Sequence, residues 1–435
     1  MSETQAHKSG APRLDAVIFA DLIAAVALSA LAFGAVEPWS LALFELNGLL
    51  LGVLLAARFT LGATWRLPAI LLPFAGLLLW GGVQLIPFGW RGGVPLSQDP
   101  YATGQALLRL LALGLYFLAA LVTLRRTERR RWTLAALTVF GFAVSLFAIL
   151  QRLTDNGKMY WVRPVSPNIA PYGPFGNYNH FAGFVELILP LPLAYLLTAR
   201  IRIEQRVLWL LAVVVMATAA IHSLSRGGML AIAVEILLLF LLARGLRDEA
   251  VHAEGGSRLL IPAAIVAAAI LALWIGYDRL AQRFQLTRQG TSEYSLVTRA
   301  EYWRDGWRMF LDHPVAGVGL GAFPAVYPFY GRSTAKYERL EQTHNDYLQL
   351  LTDAGLVGGL LGLWFLAEAA LAARRRLPRR ARVHGRERAC LLGGFAAVAG
   401  LLVHSFTDFN LQIPSNALLF LFVLALAISV EPGDK

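Results

Sequence analysis

The residues best suited to chemistry, His344 and Asn345, lie where a long arginine-rich segment meets an apolar one. An imidazole can act as a general base near neutral pH, whereas a guanidinium is a permanent cation whose planar fork of donors matches phosphate oxygens. A base beside several fixed positive charges predicts chemistry on an anionic substrate. The polar segment, about residues 278 to 343, holds eight arginines: Arg279, Arg283, Arg288, Arg299, Arg304, Arg308, Arg332 and Arg339.

Thr343 and Asp346 have the spacing of a capping box, which predicts that His344 lies in the first turn of a helix. The partial positive charge of a helix N-terminus disfavours an imidazolium and attracts anions. A histidine held neutral near pH 7 can remove a proton from an attacking hydroxyl. The alternative is a polar surface residue at the start of a helix. We predict that His344 is catalytic.

The chain that must position these residues is strongly apolar. Of its 435 residues 57% are hydrophobic and only 15% charged, and the mean hydropathy is +0.56. Soluble proteins carry about a quarter charged residues. Apolar runs of about 18 or more residues recur along the chain, and each can cross a bilayer as a helix. The sequence therefore predicts an all-α, polytopic integral membrane protein with about twelve transmembrane helices.

The basic residues predict the topology. Most of them fall in the loops on the N-terminal side of the membrane, and short loops rich in Lys and Arg stay in the cytoplasm. The net charge of +11 therefore indicates topology and contact with anionic membrane lipids, and no nucleic-acid partner is predicted. The predicted spans are 15–36, 40–61, 68–88, 105–124, 132–152, 177–199, 206–223, 226–243, 258–277, 345–372, 389–407 and 412–431.

The predicted organisation has four parts. A disordered cytoplasmic N-terminus (1–14) precedes transmembrane helices 1–9 (15–277). A long loop on the opposite side (278–344), with short amphipathic helices, leads to transmembrane helices 10–12 (345–431). This loop is arginine-rich although it lies outside, so its arginines need a reason other than topology.

Arg226 is a second candidate binding residue. It follows Ser225, a predicted helix N-cap, and precedes two glycines that permit a ligand to approach the backbone closely. An arginine at membrane depth is costly unless it is paired, reaches the interface or lines a polar cavity. The alternative to ligand binding is that Arg226 extends to the lipid headgroups.

The segment from Arg299 to Phe310 predicts an amphipathic helix along the membrane plane. Tyr302, Trp303, Trp307 and Phe310 would form its aromatic face, with Arg304 and Arg308 on another face. Those arginines could bind phosphate oxygens, or the helix could be only an interfacial anchor.

Other features of the sequence give weaker indications of a functional site. Asp353, Glu186 and Glu235 fall within predicted spans, where ionisable groups pair or mark a substrate path, and the sequence does not show their partners. The glycines at 317, 319 and 321 are not a dinucleotide site, because no strand precedes them. No metal site and no cofactor are predicted, because no histidines and carboxylates show ligand spacing.

Five of these segments in order resemble the superfamily of O-antigen ligases and O-antigen polymerases, which are bacterial surface-polysaccharide membrane glycosyltransferases. The resemblance covers about residues 160 to 425. Its segments are Pro174-Phe175-Gly176-Asn177-Tyr178-Asn179-His180-Phe181-Ala182-Gly183, Ser225-Arg226-Gly227-Gly228, Arg299 to Gly319, His344-Asn345-Asp346-Tyr347-Leu348 with Gly355, and Phe406-Thr407-Asp408-Phe409-Asn410-Leu411.

The resemblance implies a multi-pass enzyme of the bacterial inner membrane with its active site and the 278–344 loop facing the periplasm. It would move a glycan from undecaprenyl diphosphate to an acceptor hydroxyl without a metal ion. By this likeness Arg226 and Arg299 would bind the diphosphate, and His344 would activate the acceptor; Arg304 is a further candidate for the diphosphate. The predicted supporting residues are Asn345, Tyr347, Asn179, His180 and Ser225.

The acceptor and even the class of function stay open. We favour an O-antigen ligase, which attaches polysaccharide to lipid A–core, over a polymerase, which extends a growing polysaccharide. Protein-glycosylating relatives carry a large extra soluble domain that a loop of about 65 residues lacks. A transporter or flippase for lipid-linked saccharides would suit twelve spans, but the sequence shows no repeated halves.

Overall fold

The computed structural model describes residues 3–61, 68–88, 92–165, 171–244, 294–331 and 340–431. Within these ranges the chain is almost entirely helical, apart from a hairpin of β1 (Lys158–Met159) and β2 (Arg163–Pro164). The helices are α1 (Glu3–Leu31), α2 (Pro38–Thr60), α3 (Leu71–Gln84), α4 (Pro100–Thr123), α5 (Thr127–Leu153), α6 (Tyr178–Glu186), α7 (Pro190–Thr198), α8 (Ile203–His222), α9 (Arg226–Ala243), α10 (Tyr294–Asp312), α11 (Phe323–Val326), α12 (Asp346–Arg376), α13 (Gly385–His404) and α14 (Pro414–Ile428).

The helices confirm a polytopic all-α membrane protein. In the described ranges nine helical segments are long and apolar enough to cross a membrane, and α3 and α14 are shorter apolar helices. These segments correspond to eleven of the predicted spans. The remaining predicted span, 258–277, lies outside the described residues, as do 278–293 and 332–339 of the predicted loop, so the total of twelve stays a prediction.

The N-terminal helix is longer than the sequence indicated. Helix α1 begins at Glu3, so residues 3–14, predicted as a disordered tail, continue the helix of the first span. Once a helix has formed over an apolar run, each further residue adds a hydrogen bond without a new nucleation cost.

Two spans contain a break that glycine or proline requires. Helices α6 and α7 form one membrane segment interrupted before Pro190, which lacks the N–H that a continuous helix would need. Helix α12 is kinked at Gly355, whose φ is +64°. A Cβ there would lie 2.2 Å from the carbonyl oxygen of Val315, so glycine lets the preceding loop approach this kink.

At one end of the bundle, which we call the arginine end, arginine side chains connect neighbouring elements. They join α2 to α1, α5 to α13, and α9 to the segment after α12. Arg58 pairs with Asp15, and Arg130 pairs with Glu387 at 2.6 Å. Arg130 also donates to the carbonyl oxygens of Leu124 and Ser429, which end α4 and α14. Arginines at this end therefore stabilise the bundle itself, in addition to the topological role predicted for them.

The centre of the bundle is formed by the last two helices. Helix α13 packs against α7, α9 and α14, and α14 packs against α4. All fifteen residues of α14 are buried. The short loop between α13 and α14 therefore reaches the middle of the opposite end, which we call the site end.

Candidate active site

His344 lies before helix α12 and not inside it. The helix begins at Asp346, and the side-chain oxygen of Asn345 accepts the N–H groups of Tyr347 and Leu348, both at 3.0 Å. The predicted capping box is therefore wrong, because Asn345 caps the helix and the Thr343 hydroxyl donates to the carbonyl of Asn345 instead. His344 adopts a φ of +54°, in the left-handed region that non-glycine residues seldom occupy.

The start of α12 is held to the end of α13 and to the loop after it by a row of hydrogen bonds. The amide of Asn345 donates to Phe406 at 3.1 Å, the backbone N–H of Asp346 donates to Ser405 at 2.9 Å, and the Tyr347 hydroxyl donates to Leu402 at 2.6 Å. Asn345 and Tyr347, predicted as supporting residues, thus fix His344 relative to the α13–α14 loop.

Asp408, in that loop, brings the site together. Its carboxylate lies 3.6 Å from Nδ1 of His344, 3.8 Å from Nε2 of His180 and 3.5 Å from a terminal nitrogen of Arg299. Arg299 also donates to the carbonyl oxygen of Thr407 at 2.6 Å. Three segments that are remote in sequence therefore meet around one carboxylate.

The charge of Asp408 is fixed by these neighbours. Its side chain is 1% exposed, and burial alone would raise the pKa of this carboxyl. The adjacent imidazole of His344, the imidazole of His180 and the positive charge of Arg299 outweigh burial and hold the pKa of Asp408 well below its ordinary value. Asp408 is therefore a permanent anion at physiological pH.

Aromatic rings orient the two imidazoles. The ring of Phe409 lies between His344 and His180, with centroid distances of 4.7 Å to each. Tyr302 of α10 stacks on His344 at 6.0 Å, and the indole N–H of Trp303 donates to the carbonyl oxygen of His344 at 3.3 Å. The backbone and the ring of His344 are thus both held by α10.

The predicted helix at 299–310 forms within α10, and its aromatic residues have different neighbours. Tyr302 and Trp303 contact His344, whereas Trp307 is 48% exposed and packs on Phe310. The side of α10 that carries Tyr302 and Trp303 therefore packs on protein, and the orientation of this helix along the membrane plane stays a prediction.

His180 and Asn179 open helix α6, as predicted. Asn177 caps the helix by accepting the N–H of Asn179 at 2.8 Å, and both His180 and Asn179 are buried. The carbonyl oxygen of His180 accepts from the amide of Asn416, in α14, at 2.9 Å. Helix α14, which follows the loop with Asp408, thus holds the backbone of His180 in place.

Ser225 and Arg226 begin α9 at the same end. The Ser225 hydroxyl caps the helix by accepting the N–H of Gly228 at 3.2 Å, as predicted. The next residue, Arg226, is exposed. A Cβ on Gly227 would lie 2.5 Å from the His404 ring and 2.7 Å from the Thr407 hydroxyl oxygen. Glycine therefore lets the start of α9 contact the loop that also binds Arg299.

Arg304 is not brought to this cluster. It lies on an exposed position of α10, about 140° around the helix from Arg299 at about 100° per residue. Arg308 pairs with Asp305 at 3.6 Å, on the same helix. Binding of a diphosphate by Arg304 stays a prediction that no contact in the described part of the chain supports.

One of the carboxylates within spans has a partner that the sequence did not identify. Glu186 accepts a hydrogen bond from Nδ1 of His404 at 3.0 Å, so it pairs with a histidine and not with a site arginine. Across the residues the structure describes, no three His, Cys, Asp or Glu side chains form a group that could hold a metal ion.

Asp408 is the site residue that sequence reasoning missed. It was visible as a carboxylate in a short loop between two apolar helices, and it lies in the Phe406–Leu411 segment noted for its resemblance. That pattern did not indicate which residues it would contact. The contacts depend on how α6, α10 and α12 pack at the site end.

The comparisons agree with the resemblance seen in the sequence. Residues 211–363 match the family model described as O-Antigen ligase, a superfamily of glycosyltransferase-like enzymes. No curated protein sequence matches the chain. The matched segment contains Arg226, Arg299 and His344, whereas His180 and Asp408 lie outside it and join the site through the fold. Over residues 211–363 the chain therefore matches the O-antigen ligase family, which supports the superfamily that the sequence resembles.

Proposed function

We propose that the protein is a glycosyltransferase of the bacterial inner membrane. It moves a glycan from undecaprenyl diphosphate to an acceptor hydroxyl on the periplasmic side, and we favour O-antigen ligase, with lipid A–core as the acceptor. The observation that carries this proposal is the convergence of His344, His180 and Arg299 on Asp408. It combines a base, its orienting carboxylate and a cation within one site.

His344 acts on the acceptor in this proposal. Because Nδ1 faces Asp408, Nε2 is the ring nitrogen that takes the proton from the attacking hydroxyl. The acceptor oxygen forms a bond to the anomeric carbon of the donor sugar as its proton moves to His344. The fixed negative charge of Asp408 stabilises the imidazolium that results, as a carboxylate does in other base–carboxylate pairs.

Arg299 and Arg226 act on the donor. The bond between the anomeric carbon and the diphosphate oxygen breaks, and its electron pair leaves with undecaprenyl diphosphate. A guanidinium held in place by Thr407 and Asp408 can stabilise this charge without reorganisation. Arg226 adds a second cation at the N-terminus of α9, where the helix dipole also favours an anion.

The proposal is tested with purified protein and undecaprenyl diphosphate glycan, either with lipid A–core or with no second acceptor. A ligase converts lipid A–core to a larger product, whereas a polymerase makes a ladder of products without core. Gel electrophoresis of the lipid fraction separates the two. If purified protein transfers no glycan under either condition while vesicles containing it translocate the donor, the enzyme proposal is wrong and a transporter takes its place.

Replacing Arg299 by alanine tests the assignment of the donor site. We expect kcat/KM for the donor to fall about 10- to 100-fold, because a charged hydrogen bond contributes about 1.5–3 kcal/mol. Transfer rates measured against donor concentration provide the readout. Arg304→Ala, on the exposed face of the same helix, is the matched variant and should have a smaller effect. A rise in KM for the acceptor alone would contradict the assignment of Arg299 to the donor.

A further inference from the structure

A polar cavity of about 420 Å³ adjoins the site at Phe409. It lies between α4, the residues before α12 and the α13–α14 loop, and Phe409 forms part of its lining. Because the ring of Phe409 contacts both His344 and His180, this cavity is one side chain away from the proposed base. We refer to it as the polar cavity.

Three polar atoms of residues that line the polar cavity lack a hydrogen-bond partner. They are Nε of Arg109, Oε1 of Gln342 and Oδ1 of Asp353, each buried and unpaired in the described part of the chain. Buried polar groups are nearly always hydrogen-bonded, so unpaired ones on residues beside a cavity favour a polar occupant. One donor and two acceptors fit an occupant that both donates and accepts.

The charges of the polar cavity argue against an anion. Among the residues that the structure describes, its lining contains one guanidinium, that of Arg109, against the carboxyl groups of Glu341 and Asp353. Arg109 also interacts with the buried carboxyl group of Glu45. A phosphate site would need an excess of cations and donors. Acidic groups mixed with the amides of Gln105, Gln342 and Gln412 instead match the hydroxyls of a neutral sugar, which donate and accept.

An apolar cavity of about 440 Å³ adjoins the polar one. The two share the side chains of Leu77, Leu110, Leu113, Leu350, Leu411 and Gln412. The rest of the apolar cavity is lined mainly by leucines and aromatic rings of α3, α12 and α14, at the depth of the membrane. A ligand with a polar sugar and an apolar chain would fill both cavities at once.

We propose that the polar cavity binds the acceptor sugar of a glycolipid whose lipid portion occupies the apolar cavity. This inference rests on the proposed function, because it takes His344 as the base. The proposal gives the two substrates separate binding sites. The donor diphosphate lies with Arg299 and Arg226. The acceptor sugar lies on the other side of Phe409, with Arg109 and Gln342. A sugar bound there lies across the ring of Phe409 from His344, so the hydroxyl that reacts must extend past that ring to the imidazole.

Gln342→Ala tests the proposal. With undecaprenyl diphosphate glycan as donor and lipid A–core as acceptor, each KM is measured at saturating concentration of the other substrate. We expect the KM for lipid A–core to rise about 3- to 10-fold, the loss of one or two neutral hydrogen bonds, and the KM for the donor to stay constant. Gln98→Ala is the control, since Gln98 is an exposed glutamine of the same end that does not line the cavity.

A second variant removes the charged pair. Arg109→Gln combined with Glu45→Gln leaves neither charge buried alone, so the bundle should keep its elution profile in size-exclusion chromatography. We expect the same selective rise in the KM for the acceptor. A rise in the KM for the donor instead, or no change in either constant, would overturn the proposal.

A binding measurement separates this inference from the proposed function. If wild-type protein transfers glycan neither to lipid A–core nor to a second lipid-linked repeat, the proposed function fails. Binding of soluble core oligosaccharide, followed by microscale thermophoresis, then decides about the cavity. Binding to the wild type that weakens in Gln342→Ala supports a sugar site. Absence of such binding, or binding of inorganic pyrophosphate that Gln342→Ala weakens, overturns it.

Discussion

Replacing His344 by alanine will reduce the rate of glycan transfer about 10²- to 10⁴-fold, the range that a general base contributes. The imidazole is the titratable group whose nitrogen faces Asp408 while its side chain stays partly exposed, so it can reach the acceptor hydroxyl. Binding of undecaprenyl diphosphate glycan should persist, because Arg226 and Arg299 are unchanged. The rate is measured with saturating donor and acceptor, and donor binding is measured separately.

His313→Ala is the matched control for that variant. His313 lies directly after α10, at the same end of the bundle, and forms no part of the Asp408 cluster. We expect its transfer rate to match the wild type. Should His344→Ala lose donor binding together with transfer, the residue would belong to the donor site and the assignment as base would be wrong.

Replacing Asp408 by asparagine will produce a loss of similar size, about 10²- to 10⁴-fold. The amide cannot stabilise the imidazolium at His344, and its N–H group can bind Nδ1 and so select the wrong tautomer. Arg299 keeps only its hydrogen bond to Thr407. Asp155→Asn is the control, because Asp155 forms an exposed ion pair with Arg152 at the end of α5.

The stability of Asp408→Asn should show how far the carboxylate is from titrating. A lowered pKa in the folded state means that the stabilising contribution of Asp408 is present above the unfolded pKa, about 3.9, and is lost only as the pH falls through the folded value. The difference in Tm between wild type and variant should therefore be constant between pH 5 and pH 8. A difference that shrinks steadily from pH 8 to pH 5 would show that Asp408 is protonated in this range.

The sequence predicted the helices and the local segments of the site, but not how those segments meet. Apolar runs indicated the spans, and Ser225 marked the start of α9 correctly, because a cap depends on residues within one turn. The start of α12 was predicted two residues too early, which put His344 inside the helix, because Thr343 and Asn345 are both suitable caps. Local patterns alone do not decide such a competition.

The pairing of His344 with Asp408 could not be predicted for a different reason. The two residues are separated by all of α12 and α13, and their contact depends on hydrogen bonds such as Asp346 to Ser405 and Asn345 to Phe406. The same holds for Tyr302, which packs on His344 and not on lipid. Contacts of this range follow from the packing of whole helices, which periodicity does not specify.

The burial of α14 has a consequence for biosynthesis. This helix follows α4, α7, α9 and α13 in the chain, yet all its residues are buried among helices made before it. The nascent bundle must therefore leave space for α14 until that helix has been synthesised. A nascent chain that ends before the α13–α14 loop would hold His344 and Arg299 without the carboxylate of Asp408 that joins them, so the cluster forms only after α13 has been made.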